Sequence, residues 1–193
     1  MIKKNEKEKK VEEKKEISSS KQSTFKKKKK VKHRLQYILA QLYQSQNNLS
    51  KASSLYKSVA KKATNYDLQF NAKINLATTY DGSGNDVIGI LSKMLKDAKN
   101  IEYQDQIYFA LAKVYENLAI GSYKLSAQKS INNLKQKGKS FLALGNYYFK
   151  QPDYLNASNY YDSCLIALPK TYPNYEKINA KKESLKDLSL IHI

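Results

Sequence analysis

The chain has 193 residues and a net charge of +18, from 35 Lys or Arg against 17 Asp or Glu. One cysteine, Cys164, allows no disulfide within the chain, and two histidines, His33 and His192, are poor material for a metal site or a Cys–His nucleophile pair. No apolar run approaches the roughly 18 residues of a membrane span, and no apolar stretch behind the charged start reads as a secretory signal.

Three Pro and six Gly leave few breakers, which favours long helices over strands. The charge is uneven. Residues 1–34 hold fifteen Lys or Arg and five Glu, a net +10, and the remainder contributes +8. Residues 1–32 are Lys/Glu/Ser-rich, and beyond Met1 and Ile2 their few apolar side chains are Val11, Ile17, Phe25 and Val31. Such a segment cannot bury enough surface to offset its ordering entropy, so a disordered tail or a loose helix is expected. Within it the Lys26–Lys30 run, followed by Lys32, His33 and Arg34, could hold phosphates or an anionic surface.

From His33 a helical period begins. Leu39, Ala40 and Tyr43 lie on one helix, and Ala52 and Tyr56 on the next. Asn47 and Asn48 make the turn, and Ser50 is placed to cap the second helix. A second unit has Leu76, Ala77 and Tyr80, a turn over residues 81–84, and a cap at Asn85 or Asp86. Its next helix carries an apolar face of Ile88, Leu91 and Leu95, with Gly89 and Lys93 at the small and aromatic positions.

A third has Tyr108, Leu111, Ala112 and Tyr115, with Ala119 and Tyr123 only a few residues later. Either its two helices run together through residues 117–121, or Gly121 makes an irregular turn with a shifted register. The fourth unit is the most regular: Phe141, Leu144, Gly145 and Tyr148, then Ala157, Tyr161 and Pro169. An aromatic, Leu, Gly and Tyr followed by Ala, an aromatic and Pro is the tetratricopeptide pattern. Gly145 and Ala157 let two helices cross closely, and Pro169 ends the second.

The first helices start near 33, 70, 105 and 138, a mean spacing of about 35 residues against 34 for tetratricopeptide repeats. The expected fold is all-α: a solenoid of about four helix–turn–helix repeats over 33–188. It closes with a capping helix over 172–188 that carries Tyr175, Ile178, Leu185 and Leu188. Residues 189–193 continue no pattern and are expected to be unstructured.

The strings HRLQYILAQLYQ, FNAKINLATTYDGSGND, KMLKDAKNIEYQDQIYFALA and QPDYLNASNYYDSCLIALPKTYPNY carry a more specific resemblance. Over about Lys28–Leu188 the sequence resembles the tetratricopeptide-repeat lipoproteins of the Bacteroidota type IX secretion and gliding-motility machinery. That resemblance implies a periplasmic, outer-membrane-tethered scaffold and not an enzyme. Those lipoproteins begin with a signal peptide and an acylated cysteine and are several times longer. The sequence has neither feature, so it is expected to be a fragment, and the compartment stays open.

A tetratricopeptide array lines its concave surface with first helices. The inward offsets fall on Arg34, Tyr37 and Gln41; Asn71, Ile74 and Thr78; Gln106, Phe109 and Lys113; Lys139, Leu142 and Asn146. From these, Tyr37, Gln41, Asn71, Thr78, Phe109, Lys113, Lys139 and Asn146 are the expected contacts for a protein partner, since aromatics are enriched at interfaces. The same aromatics could instead pack against neighbouring helices.

A chaperone-type carboxylate clamp needs cations that the sequence does not place. Of its Asn and Lys/Arg set, only Asn75 matches. The basic tail offers nucleic-acid or anionic-surface binding as the alternative function. Gly82-Ser83-Gly84 lacks the lysine of a phosphate loop and reads as a turn. No set of residues forms a catalytic constellation, so no cofactor, metal or small-molecule substrate is expected.

Overall fold

The computed structural model describes residues 2–79, 87–114 and 119–191, with side chains described within those segments from residue 23 to residue 185, Phe25 excepted. Every regular element among them is helical. They are α1 (Ile2–Ser45), α2 (Leu49–Lys62), α3 (Tyr66–Thr78), α4 (Val87–Lys96), α5 (Gln104–Val114), α6 (Ala119–Lys129), α7 (Leu134–Lys150), α8 (Tyr154–Ala167) and α9 (Tyr175–Ile191). A short 3-10 turn over Ala98–Tyr103 joins α4 to α5. The chain divides into two compact units, residues 1–79 and 80–193.

Several expectations are corrected. The segment expected to be a disordered tail is helical, because α1 runs from Ile2 through Ser45. Its Lys, Glu and Gln residues are good helix formers, and residues 1–45 contain no Gly or Pro to stop it. Asn48, not Ser50, caps α2, its side chain accepting from the Lys51 amide. The buried face of α4 is Val87, Leu91 and Met94.

Gly121 makes no turn. It lies inside α6, so α5 and α6 are separate helices that pack on each other. The capping helix is displaced to Tyr175–Ile191, and the expected unstructured residues 189–191 belong to it. The expected Tyr80 and Tyr115, the 81–84 turn and its Asn85 or Asp86 cap lie outside the described residues.

In the first unit α1, α2 and α3 all pack against one another around Ala40, Ala52, Tyr56, Val59, Ala72 and Leu76. In the second, each helix from α4 to α9 packs on its successor, and α5 also touches α7.

The α1–α2 and α7–α8 hairpins share their turn. The Asn48 amide bonds the Tyr43 carbonyl at 2.8 Å, and the Asp153 amide bonds the Tyr148 carbonyl at 3.1 Å. Both residues then cap the following helix, Asp153 accepting from the Asn156 amide at 3.1 Å. Asn47 takes the left-handed conformation at φ 59°, which an asparagine tolerates.

The second helices seat alike. Ala157 and Tyr161 are fully buried, as are Ala52 and Tyr56. A Cβ built on Gly145 would lie 2.7 Å from the Tyr161 ring, so that approach requires glycine.

Candidate functional site

The expected partner-binding residues fall in both units, and each group has its own surroundings. In the first unit Tyr37 stands half-buried on α1. Its ring packs edge-on against Tyr56 at 5.6 Å, and its hydroxyl accepts from Asn75 Nδ2 at 2.7 Å. Thr78 Oγ1 accepts from Gln44 Nε2 at 2.8 Å and donates to the Asn75 carbonyl. Gln44 Oε1 in turn accepts from the Tyr56 hydroxyl at 2.8 Å.

Tyr37, Gln44, Tyr56, Asn75 and Thr78 thus form a chain of hydrogen bonds that ties α1, α2 and α3 together. Burial raises both tyrosine pKa values, that of Tyr56 to about 12, so both hydroxyls stay protonated. Tyr37 and Thr78 therefore spend their polar groups inside the unit. Gln41 and Asn71 are exposed. Asn71 lies in a cleft with Lys30, Arg34, Asn65, Asp67 and Leu68.

The second unit brings Phe109, Lys113 and Lys139 together. Lys113 Nζ sits 5.5 Å from the centre of the Phe109 ring, and Phe109 lies against Tyr123 at 5.3 Å. Lys139, half-buried on α7, has its ammonium pKa lowered by burial and then by the charges of Lys135 and Lys113. The contact between α5 and α7 accounts for this meeting of lysines from two first helices.

Among the described residues, ion pairs form at Lys182, with Asp162 at 2.9 Å and Glu183 at 3.4 Å, and none at Lys113, Lys135 or Lys139. Asn146 is exposed, and its Oδ1 accepts from the Tyr161 hydroxyl at 2.9 Å.

Sequence reasoning named Tyr123 only as a repeat position and missed Lys135, Gln44 and Lys181. Lys181 on α9 reaches over the Phe149 ring at 5.0 Å and the Tyr161 ring at 5.9 Å. Lys135 had a legible signal, since it lies four residues before Lys139 and so on the same helical face. The partner of Gln44 on α3 had none, because it lies 34 residues away.

Below this surface Asp105 is buried. Its Oδ1 accepts from the Gln106 amide at 2.7 Å, and its Oδ2 from Asn133 Nδ2 at 3.0 Å and Ser130 Oγ at 3.2 Å. Ser126 Oγ donates to the Asp105 carbonyl and lies 2.7 Å from Ser140 Oγ, which joins α5, α6 and α7. Every polar group of that cluster is engaged, which makes it a structural core. Cys164 is buried, and burial pushes its thiol up to about 11, so it is poorly suited to nucleophilic or ligating work.

Among the described residues no helix is long and apolar enough to cross a membrane. Compared with protein-family models and with curated proteins, the chain matches none.

Proposed function

We propose that this chain is a tetratricopeptide-type scaffold that binds a segment of another protein, and that the second unit receives an acidic segment at Phe109, Lys113, Lys135 and Lys139. The repeat reading is supported by the hairpin order, the contact between first helices α5 and α7, and the interlock of Gly145 with Tyr161. The binding reading is carried by one observation. Lys113 lies over the Phe109 ring, its helix touches the helix of Lys135 and Lys139, and burial and then the charges of Lys135 and Lys113 lower the pKa of Lys139.

An incoming carboxylate would relieve that repulsion and gain charge-assisted hydrogen bonds. The ring offers an apolar contact next to them. Following the sequence resemblance, the partner belongs to a secretion or gliding-motility complex at the periplasmic side of an outer membrane.

The alternative through Lys26–Lys30 is less favoured. Successive residues turn about 100° around a helix, so five consecutive lysines surround α1 and do not form one stripe.

A phage-displayed peptide selection against the whole chain tests the proposal. Enriched peptides should carry Asp or Glu beside an apolar residue, and Lys113→Glu with Lys139→Glu should weaken them at least tenfold, about 1.4 kcal/mol. Selected peptides without acidic residues, or equal binding to the charge-reversed protein, would overturn it.

A further inference from the structure

The outer face of α1 carries five exposed aliphatic side chains among the described residues of the first unit. Val31, Leu35, Ile38, Leu39 and Leu42 are between 42% and 61% exposed. The opposite face, with His33 and Ala40, is buried in the α1–α2–α3 core. Val31, Leu35, Ile38 and Leu42 are spaced four, three and four residues apart, the a/d rhythm of a helix that pairs with another helix. In that register Lys27 and Arg34 flank the seam on one side and Lys32 on the other. Lys27, Lys28 and Lys32 edge a shallow apolar depression that includes Val31, Leu35 and Leu39.

An internal comparison shows what fits such a face. The α1–α2 and α7–α8 hairpins correspond residue by residue at a fixed offset, as Tyr43 with Tyr148, Ala52 with Ala157 and Tyr56 with Tyr161. The same offset carries Val31, Leu35 and Leu39 to Gln136, Ser140 and Leu144. All three of those are buried, and Ser126 of α6 lies 2.7 Å from Ser140. On α7, therefore, this face is covered by a neighbouring helix. On α1 the equivalent positions are all apolar, Val31, Leu35 and Leu39, and all three are open.

The charge around the seam selects the kind of helix. Residues 17–66 contain twelve Lys or Arg and no Asp or Glu. We infer that the Val31–Leu42 face of α1 docks an amphipathic helix of a partner protein, with apolar residues at its own a and d positions and Asp or Glu on the flanks. The seam spans eleven steps of about 1.5 Å each, so about 17 Å, or three turns of partner helix. The acidic flanks lie against Lys27, Lys32 and Arg34, where they raise specificity and on-rate more than raw affinity.

Pairing of this face with the same face of a second copy sets two stretches of twelve Lys or Arg without Asp or Glu, residues 17–66, against each other, so like charges oppose it. An interfacial bilayer helix favours a broad apolar face with aromatic anchors, whereas the exposed apolar residues of this face are Val, Leu and Ile alone. The docking face lies within residues 1–79, and the lysine cluster around Lys139 within residues 80–193.

The test uses the whole chain and a designed 21-residue helical probe with Leu at a and d and Glu at e and g, read by fluorescence anisotropy. Saturable binding is expected. Leu35→Ser with Ile38→Ser should weaken it at least tenfold without lowering the melting temperature, because both side chains are exposed. Lys113→Glu with Lys139→Glu should leave it unchanged. A probe with Gln replacing Glu should bind more weakly at low salt. Four results would overturn the inference: no saturable binding; equal binding of a sequence-scrambled probe; vesicles containing phosphatidylserine or a duplex DNA binding through Leu35 and Ile38 where the helix does not; or a dimer in sedimentation that the same two substitutions dissolve.

Discussion

In the α7–α8 hairpin two helices meet over Gly145 and Ala157, and the Tyr161 ring fills the space beside the glycine. In the α5–α6 hairpin the Phe109–Tyr123 ring contact is joined by a buried set of hydrogen bonds. Ser126 reaches the Asp105 carbonyl at 2.7 Å, and Ser130 shares its proton between the Asp105 carboxylate and the Ser126 carbonyl. The first contact is a fit of shapes. The second is directional, and each member depends on the others being present.

The difference teaches what each hairpin tolerates. A shape fit fails when volume is added, while a buried polar network fails when one partner is removed. The regular α7–α8 pattern and the contracted α5–α6 sequence therefore have opposite weak points.

The largest effect should come from overfilling the shape fit. Ala157 is fully buried in the α8 core, so Ala157→Arg forces both bulk and an unpaired charge into it. A loss of about 4 kcal/mol or more is expected, read as the urea midpoint by far-UV circular dichroism. A wild-type midpoint would show that α7 and α8 do not meet tightly there.

Removing a partner from the network comes next. Asp105→Ala leaves Asn133 Nδ2 without that acceptor and Ser130 Oγ with the Ser126 carbonyl alone, and should cost about 2–4 kcal/mol. Asp105→Asn keeps the shape and an acceptor oxygen and should cost less. Equal losses for the two would mean that volume and not hydrogen bonding holds α5 to α6.

Paired glycine substitutions sharpen the contrast further. Gly145→Ala drives a methyl group to 2.7 Å from the Tyr161 ring and should cost about 1–3 kcal/mol. A Cβ on Gly121 in α6 meets nothing within 4 Å, so Gly121→Ala should stabilise by about 0.5–1 kcal/mol through helix propensity alone. Differential scanning calorimetry of the two variants should move the melting temperature in opposite directions, and shifts of the same sign would contradict the packing assigned to one of them.

The smallest effect concerns His33, the unpaired counterpart of Asp105. His33 is buried, and its Nδ1 has no hydrogen-bond partner. Burial first, then Lys29, Lys32 and Lys62, lower its pKa below 6.5. The fold thus favours the neutral ring, and the unfolded chain takes up the proton first as pH falls. The stability His33 contributes is full above about pH 6.5 and declines as pH drops through the lowered value. Urea midpoints measured between pH 7.5 and 5 should fall more steeply in the wild type than in His33→Gln, and parallel curves would remove His33 from the account.

By itself the sequence determined the helical class, the recurrence of about 35 residues and the small and aromatic seats at Gly145, Ala157, Tyr56 and Tyr161. These are periodic signals that local spacing records. It also placed Phe109, Lys113 and Lys139 on first helices. Tertiary structure alone decided which of the eight expected contact residues remain available to a partner. Tyr37 and Thr78 are drawn inward by Gln44, Tyr56 and Asn75, and Asn146, though exposed, has its oxygen engaged by Tyr161, across separations that no local pattern encodes. It decided likewise that Ser126, Ser130 and Asp105 form a core, although their types read as surface, because a buried polar group is tolerated once its hydrogen bonds are met from neighbouring helices. The apolar rhythm of Val31–Leu42 was present in the sequence, but only the packing of α2 and α3 on the other side of α1 showed which of its faces is left open.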